Sequence, residues 1–278
     1  MVIKEIKIHE YQKTFISKVY FGQELHDIRK GWYIKIIADE ATGIGEAAPI
    51  PSISNECHSQ AGYALYGFSL ALKDINYDVS NEELLMLSQI HANQSPSAKF
   101  AIQTAIYDIL SQINGKSISM YINSDSGKHI NINSILHDNC TIAPKDTKIL
   151  KVKIHNHNIY DIRESIDEIL RNYPTDVKLR IDFNGSLDLA KSIRIARELE
   201  QYNIDYLEQP IPAERLNDLY ELRMNSSISV AIDESLTDYA SAEKIIEESA
   251  ADVLIIKPTL SGGYDDIDKI VNLCQRDK

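Results

Sequence analysis

Apolar and polar positions set two regimes along the chain. Segments 2–10, 14–22 and 31–39 alternate with a period of two or carry β-branched and aromatic residues, as in KGWYIKIIAD. That period puts successive side chains on opposite faces, and it predicts three strands. ATGIGEAAPIP then turns the chain, and Gly43-Ile44-Gly45 within it reads as a hairpin turn. Residues 57–74 and 96–113 are helical by apolar spacing. Between them, Ser80 with Glu83 three positions later predicts a capping box for a short helix. The first part of the chain is therefore a small α+β meander followed by helices.

From about residue 130 the regime changes. Short β-rich runs (ININSIL, ILKVKI, KLRIDF, DYLEQP, SVAIDE and VLIIKP) alternate with amphipathic helices. One helix, 187–201, carries a stripe at Leu189, Ile193, Ala196 and Leu199 behind a candidate N-cap at Ser186. Alternating β and α units imply a parallel sheet, either doubly wound or closed as a barrel. Strands two to six each carry an ionisable residue near their end: Lys153, Asp182, Glu208, Asp233 and Lys257. The intervals are 29, 26, 25 and 24 residues. That is about the length of one βα unit, and a row of ionisable groups at strand ends is the barrel arrangement. A doubly wound sheet would more often carry a Gly-rich first turn, and this sequence has none.

Alternation inside the strands supports the same reading. Lys151 and Lys153 share one face of ILKVKI against Leu150, Val152 and Ile154, while Arg180 and Asp182 oppose Leu179, Ile181 and Phe183. Burying such charges singly is costly, so they must compensate one another at a shared site.

Composition narrows the function classes. The 278 residues include 29 Lys plus Arg and 41 Asp plus Glu, a net charge of −12 with pI near 5.1, which argues against nucleic acid as partner. No apolar run approaches the roughly 18 residues of a membrane span, and the N-terminus lacks a signal-peptide core. Three scattered cysteines (Cys57, Cys140, Cys274) without a CxxC point to a reducing cytoplasm.

Three carboxylates in one mouth, Asp182, Glu208 and Asp233, repel one another. A hard divalent cation would relieve that, and all-oxygen ligation suits Mg²⁺, with Mn²⁺ as an alternative. Lys153 and Lys257 would flank the metal. Lys151, on the face of Lys153, would lower that lysine's basicity into the range of a general base. A carboxylate substrate on the metal would have its α-proton acidified. His155 and His157 form an i, i+2 pair with no third ligand nearby and read as a loop.

KVK, LRIDFNG, LEQP, AIDES and IIKPTLSGG, in that order, resemble the muconate-lactonising-enzyme-like group of the enolase superfamily. The resemblance implies an α+β capping domain, here residues 1–122, on a (β/α)7β barrel, here 123–278. Within the group, GIGEAAPIPSIS, SAKFAIQTAIYDIL and the Pro258 after Lys257 in IIKPTLSGG are most similar to the o-succinylbenzoate synthase family. It implies metal ligands Asp182, Glu208 and Asp233, the acid–base group Lys153, and Lys257 as an opposing cation. It also implies that Lys151, Arg180 and Asn184 support the site, and that Arg29, Gly262 and Gly263 contact a small carboxylate substrate. The family reaction is syn-dehydration of 2-succinyl-6-hydroxy-2,4-cyclohexadiene-1-carboxylate to 2-succinylbenzoate, in menaquinone synthesis. His155 and Phe183 stand where the family has Gly and Ala. Residues 130–278 hold about six βα units, so strands seven and eight of the family barrel are expected to be missing. Other readings are a dipeptide epimerase or N-acylamino-acid racemase of the same superfamily, an imine-forming aldolase, and an inactive truncated barrel. Oligomeric state is left open.

Overall fold

The computed structural model describes residues 1–21, 24–50, 52–73, 75, 77–136, 143–144, 146–155 and 157–276. Cys140 lies outside them. Two compact units emerge: Met1–Lys128 with Lys257–Arg276, and His129–Ile256.

The first unit opens with β1 (Ile3–Phe21), β2 (Glu24–Ala38) and β3 (Thr42–Ala47), paired antiparallel in that order. Period-two patterning buries Ile34, Ile36 and Ala38 of β2 on one face. The helices are α1 (His58–Ala71), α2 (Asn81–Ala92), α3 (Pro96–Ile113) and α4 (Ile118–Ile122). Ser80 caps α2 by accepting from Glu83 N at 3.1 Å, one half of the capping box its sequence predicts. Helix α3 is capped from outside: the buried Glu56 accepts from Ser97 N at 2.7 Å and from the Ser95 hydroxyl.

Gly43 and Gly45 are strand residues of β3, not the hairpin turn their spacing suggested. A Cβ on Gly43 would stand 1.9 Å from the Ala105 carbonyl oxygen, and one on Gly45 would stand 1.9 Å from that of Ala101. The glycines let the backbone of α3, with its Ala-rich face of Ala98, Ala101 and Ala105, lie directly on the strand. Gly45→Ala is expected to force the helix off the sheet and destabilise this unit by about 1–3 kcal/mol. A denaturation midpoint equal to wild type would refute the close approach.

The second unit is a parallel sheet with helices between strands. In chain order it holds β4 (Ser134–Leu136), β5 (Ile149–Lys153), α5 (Ile159–Leu170), β6 (Lys178–Asp182) and α6 (Leu189–Leu199). There follow β7 (Ile204–Glu208), α7 (Leu216–Met224), β8 (Val230–Ile232), α8 (Tyr239–Glu247) and β9 (Val253–Leu254). Each strand pairs with its sequence neighbours, in the order β4-β5-β6-β7-β8-β9. A doubly wound sheet reverses its order at a switch point; this one does not, which is the winding of a barrel wall. The core is Leu150, Val152, Leu179, Ile181, Leu207, Val230 and Ile232 from the strands with Ile166, Ile195, Leu199, Leu219 and Ile245 from the helices, all buried. Helix α6 starts later than its pattern implied. Asp188, not Ser186, is the N-cap, accepting from Lys191 N at 2.8 Å, and Ile195 rather than Ile193 is buried.

Beyond Ile256 the contacts return to the first unit, through α9 (Pro258–Ser261) and α10 (Tyr264–Arg276). Asp265 and Asp266 receive Lys99 Nζ at 3.0 and 2.6 Å, and Asp265 also accepts from Gln103 and Gln89. The ring of Tyr264 packs on Phe100 and Tyr107. No helix among the described residues is long and apolar enough to cross a membrane.

Candidate active site

Strand register aligns the chemistry. Lys153 pairs with Asp182, and Asp182 with Glu208, so the last residues of β5, β6 and β7 form one row across the sheet. Glu208 in turn pairs with Ala231 of β8, two residues before Asp233. Asp182, Glu208 and Asp233 are all buried.

The same row is an ion cluster. Lys151 Nζ lies 2.9 Å from Asp182 Oδ2 and 2.6 Å from Glu208 Oε1, bridging the two carboxylates. Lys153 Nζ lies 3.6 Å from Asp182 Oδ2 and donates to Asn184 Oδ1 at 3.2 Å. Burial disfavours the charged form of Lys151, but Asp182 and Glu208 outweigh it and hold the ammonium well above the ordinary lysine range. Lys151 thus spends its charge on two carboxylates, whereas its sequence position suggested that it would act on Lys153. Burial, then Asp182 and Asp233, push Glu208 up to about 7 against the opposing pull of Lys151.

Backbone strain marks the strand ends. Asn184 has φ 46° and Gln209 φ 36°, left-handed values uncommon for side chains other than glycine. Gln209 had no place in the sequence reading. It is fully buried, and its Oε1 accepts from Asp233 N at 3.0 Å and Ser235 N at 3.2 Å, tying the turn after β8 to the end of β7. Glu234 was also missed; it accepts from Asn184 Nδ2 at 2.8 Å. A polar side chain immediately after a strand-end carboxylate, as in LEQP and AIDES, is the signal that could have found both.

The donor set fits a hard divalent cation. Asp182 and Glu208 face the Lys151 ammonium and Asp182 also that of Lys153, while the like charges of Asp233 and Glu234 press on the same carboxylates, an excess of negative charge in a largely buried cluster. Asp182 Oδ2 takes no well-formed hydrogen bond, although the Lys151 ammonium is close. That ammonium is the stand-in cation here. Among the described residues the acidic side chains do not close around one point, because Lys151 stands between two of them.

The rest of the expected set is Arg180, Arg29, Lys257, Gly262 and Gly263. Arg180 donates to Asp205 at 2.9 Å and to Asn133 at 3.0 Å and lies 4.8 Å over the Tyr206 ring, so its contacts are not with the cluster. In the first unit, Arg29 donates to the carbonyls of Ala48 and Pro49 and lies 5.7 Å over Phe21. Lys257 is the residue preceding α9, and Gly262 ends that helix at φ 113°. A Cβ at Gly263 would stand 2.1 Å from Gln103 Oε1, so close packing accounts for that glycine. His157 bonds Ser186 at 2.9 Å; burial, Lys191 and His155 keep its ring below the ordinary histidine range.

The elevated Glu208 sets a pH dependence. Its folded state holds a proton more tightly than the unfolded chain does, so the stability it contributes is full below the ordinary glutamate range and is lost as pH rises to about 7. In the presence of a chelator the melting temperature is expected to fall across that window, and Glu208→Gln is expected to flatten the fall. A wild-type profile already flat between pH 5 and about 7 would contradict the burial of this carboxylate.

Residues 141–277 match the family model described as enolase C-terminal domain-like, and residues 3–109 match that described as MenC, N-terminal domain. An L-Ala-D/L-Glu epimerase of Clostridium acetobutylicum is 26% identical over 291 residues, covering 99% of this chain and 80% of the relative. A dipeptide epimerase from Enterococcus faecalis, solved with Mg and the dipeptide L-Leu-L-Tyr, superposes with TM-score 0.84 at 21% identity over 100% of this chain and 80% of that one. An o-succinylbenzoate synthase from Thermosynechococcus elongatus, solved with Mg in the active site, gives TM-score 0.73 at 19% identity over 99% and 82%. At these identities the two solved structures share the fold.

Proposed function

We propose that this chain, which belongs to the enolase superfamily, is an Mg²⁺-dependent lyase that dehydrates 2-succinyl-6-hydroxy-2,4-cyclohexadiene-1-carboxylate to 2-succinylbenzoate. The observation that carries the reading is the in-register row Lys153–Asp182–Glu208 at adjacent strand ends, with Asp233 tied in through Gln209. It places one amine beside a set of hard oxygen donors, the requirement for removing a proton α to a carboxylate. Asp182, Glu208 and Asp233 would hold Mg²⁺ or Mn²⁺, which when bound supplies Lewis acidity at the substrate carboxylate.

Lys153 does the proton work. Its neutral amine takes the α-proton, and the resulting ammonium returns a proton to the departing hydroxyl, so that one C–H and one C–O bond break and water leaves. Asn184 Oδ1 accepts from the ammonium between the two steps, which keeps Nζ from swinging onto Asp182. Lys151 balances Asp182 and Glu208. Lys257 supplies a second cation for the anionic intermediate, as the resemblance of IIKPTLSGG implies. The choice of dehydration rests on that motif, on GIGEAAPIPSIS, and on the MenC type of N-terminal domain.

A second reading is epimerisation of a dipeptide or racemisation of an N-acylamino acid, favoured by the coverage and identity of the curated epimerase. Purified protein with Mg²⁺ should be offered the cyclohexadiene substrate and L-Ala-L-Glu separately. Appearance of the aromatic product in the ultraviolet, with no deuterium entering L-Ala-L-Glu in D₂O, supports the dehydratase. Deuterium exchange and inversion of the dipeptide, with no aromatic product, overturns it in favour of the epimerase.

A further inference from the structure

A line of polar contacts ends on the Lys153 ammonium. Lys153 Nζ donates to Asn184 Oδ1 at 3.2 Å, and Asn184 Nδ2 donates to Glu234 Oε1 at 2.8 Å. A primary amide has one accepting end and one donating end. Glu234, a carboxylate, can only accept when ionised, so it holds the donating end and turns the accepting end toward the ammonium. The reversed amide would set its NH₂ against an ammonium and its carbonyl against a carboxylate, and both contacts are repulsive. The backbone supports the same pose: Asn184 N donates to Asp182 Oδ1 at 3.0 Å, at a φ of 46°. A left-handed conformation of this kind persists only where surrounding contacts over-determine it. Glu234 is largely buried, and its Oε2 takes no hydrogen bond among the described residues, so the Asn184 contact orients the carboxylate.

We propose that Glu234 is a positioning residue for proton transfer, acting through the amide of Asn184 to aim Lys153. The proposal rests on the reading of Lys153 as the acid–base group. It distinguishes Glu234 from its neighbour Asp233, which is a ligand in that reading, and it gives Asn184 a role toward the base rather than toward the metal.

The test is a double-mutant cycle in the full chain saturated with Mg²⁺, with Glu234→Ala, Asn184→Ala and the pair. Turnover of the substrate that wild type accepts should fall about tenfold in each single variant, with KM and the Mg²⁺ concentration for half activity changed less than about twofold. The pair should be no worse than Asn184→Ala alone, because one residue acts through the other. Glu234→Gln, which keeps an accepting oxygen, should regain most of the loss. A second readout needs no substrate: the rate of Lys153 acetylation by acetic anhydride, followed by peptide mass spectrometry. It should rise by the same factor in both single variants and no further in the pair. Should Glu234→Ala not fold, Glu234→Leu, closer in volume, runs the same cycle.

Multiplicative losses in the pair would overturn the proposal. So would a Glu234→Ala defect confined to KM or to the Mg²⁺ requirement, or an unchanged labelling rate at Lys153. A wild-type protein inactive on both substrates would instead sink the functional reading, and the labelling pattern would still decide whether Glu234 acts on Lys153.

Discussion

Lys153→Ala is expected to reduce turnover by about 10²–10⁴-fold, the ordinary worth of a general acid–base group, and by more where one amine serves both proton steps. The loss should fall on kcat, with the fold intact. Lys153 ends β5, and its side chain makes one hydrogen bond to Asn184 and one long ion pair to Asp182. Removing it exposes little apolar core, because Leu150 and Val152 point to the other face and Ile149, the third buried residue of that strand, lies at its opposite end. The melting temperature should therefore stay within a few degrees of wild type. Deuterium incorporation from D₂O into bound substrate should disappear together with turnover, since both need the same abstraction. Near-normal kcat in the Lys153→Ala enzyme would remove the central assignment and shift attention to Lys257.

Lys151→Met should have the largest effect on stability. Its ammonium bridges Asp182 and Glu208, both buried. Deleting one member of a buried ion cluster leaves uncompensated charge and costs about 3–5 kcal/mol. In a chelator at pH 8, above the value of about 7 that Glu208 has with Lys151 in place, that corresponds to a melting temperature lower by roughly 10 °C for a chain of this size. At pH 5 the penalty should shrink, because Glu208, pushed up to about 7, takes a proton and half of the exposed charge vanishes. Adding Mg²⁺ at pH 8 should recover most of the loss, since a divalent cation would balance the same carboxylates. Calorimetry in chelator and in Mg²⁺ measures all three. A Lys151→Met protein that melts like wild type in chelator, or one that Mg²⁺ leaves untouched, would show that these carboxylates are not held by a shared counter-charge.

The sheet of the second unit was legible because its code is local. A period of two over five or six residues, closed by a charged residue, marks KLRIDF as a strand and Asp182 as its end. The six runs did become β4 to β9, in sequence order. The row Lys153, Asp182 and Glu208 was legible for the same reason. Parallel neighbours of similar length whose charged residues recur every 24 to 29 positions must bring those residues near one edge. In the first unit, apolar spacing located the long helix α3, but alternation located only β1 and β2: the segments 2–10 and 14–22 run together as the one strand β1, and β3 occupies the stretch that reads as a turn.

Partner identity lay beyond local pattern. Period two puts Arg180 and Asp182 on one face, yet Arg180 binds Asp205 and Asn133 while Asp182 meets two lysines. That split depends on the register between β6 and β7, which shifts between Leu179 and Arg180. No feature of either strand alone encodes such a shift. Gly43 and Gly45 look like turn residues by composition, and only the seating of α3 across them shows that missing side-chain volume was their purpose. Arg29 looks like a free cation until the fold brings the carbonyls of Ala48 and Pro49 to it. Gln209 and Glu234 follow strand ends without periodicity; their roles exist only because the turns after β6, β7 and β8 are packed together. Sequence alone determined which segments become strands and which charges end them, because backbone alternation is a property of neighbouring residues. Tertiary structure decided which charge each one meets, because hydrogen bonds and ion pairs a few ångströms long join residues 24 to 57 positions apart, and their geometry is set by strand register and packing.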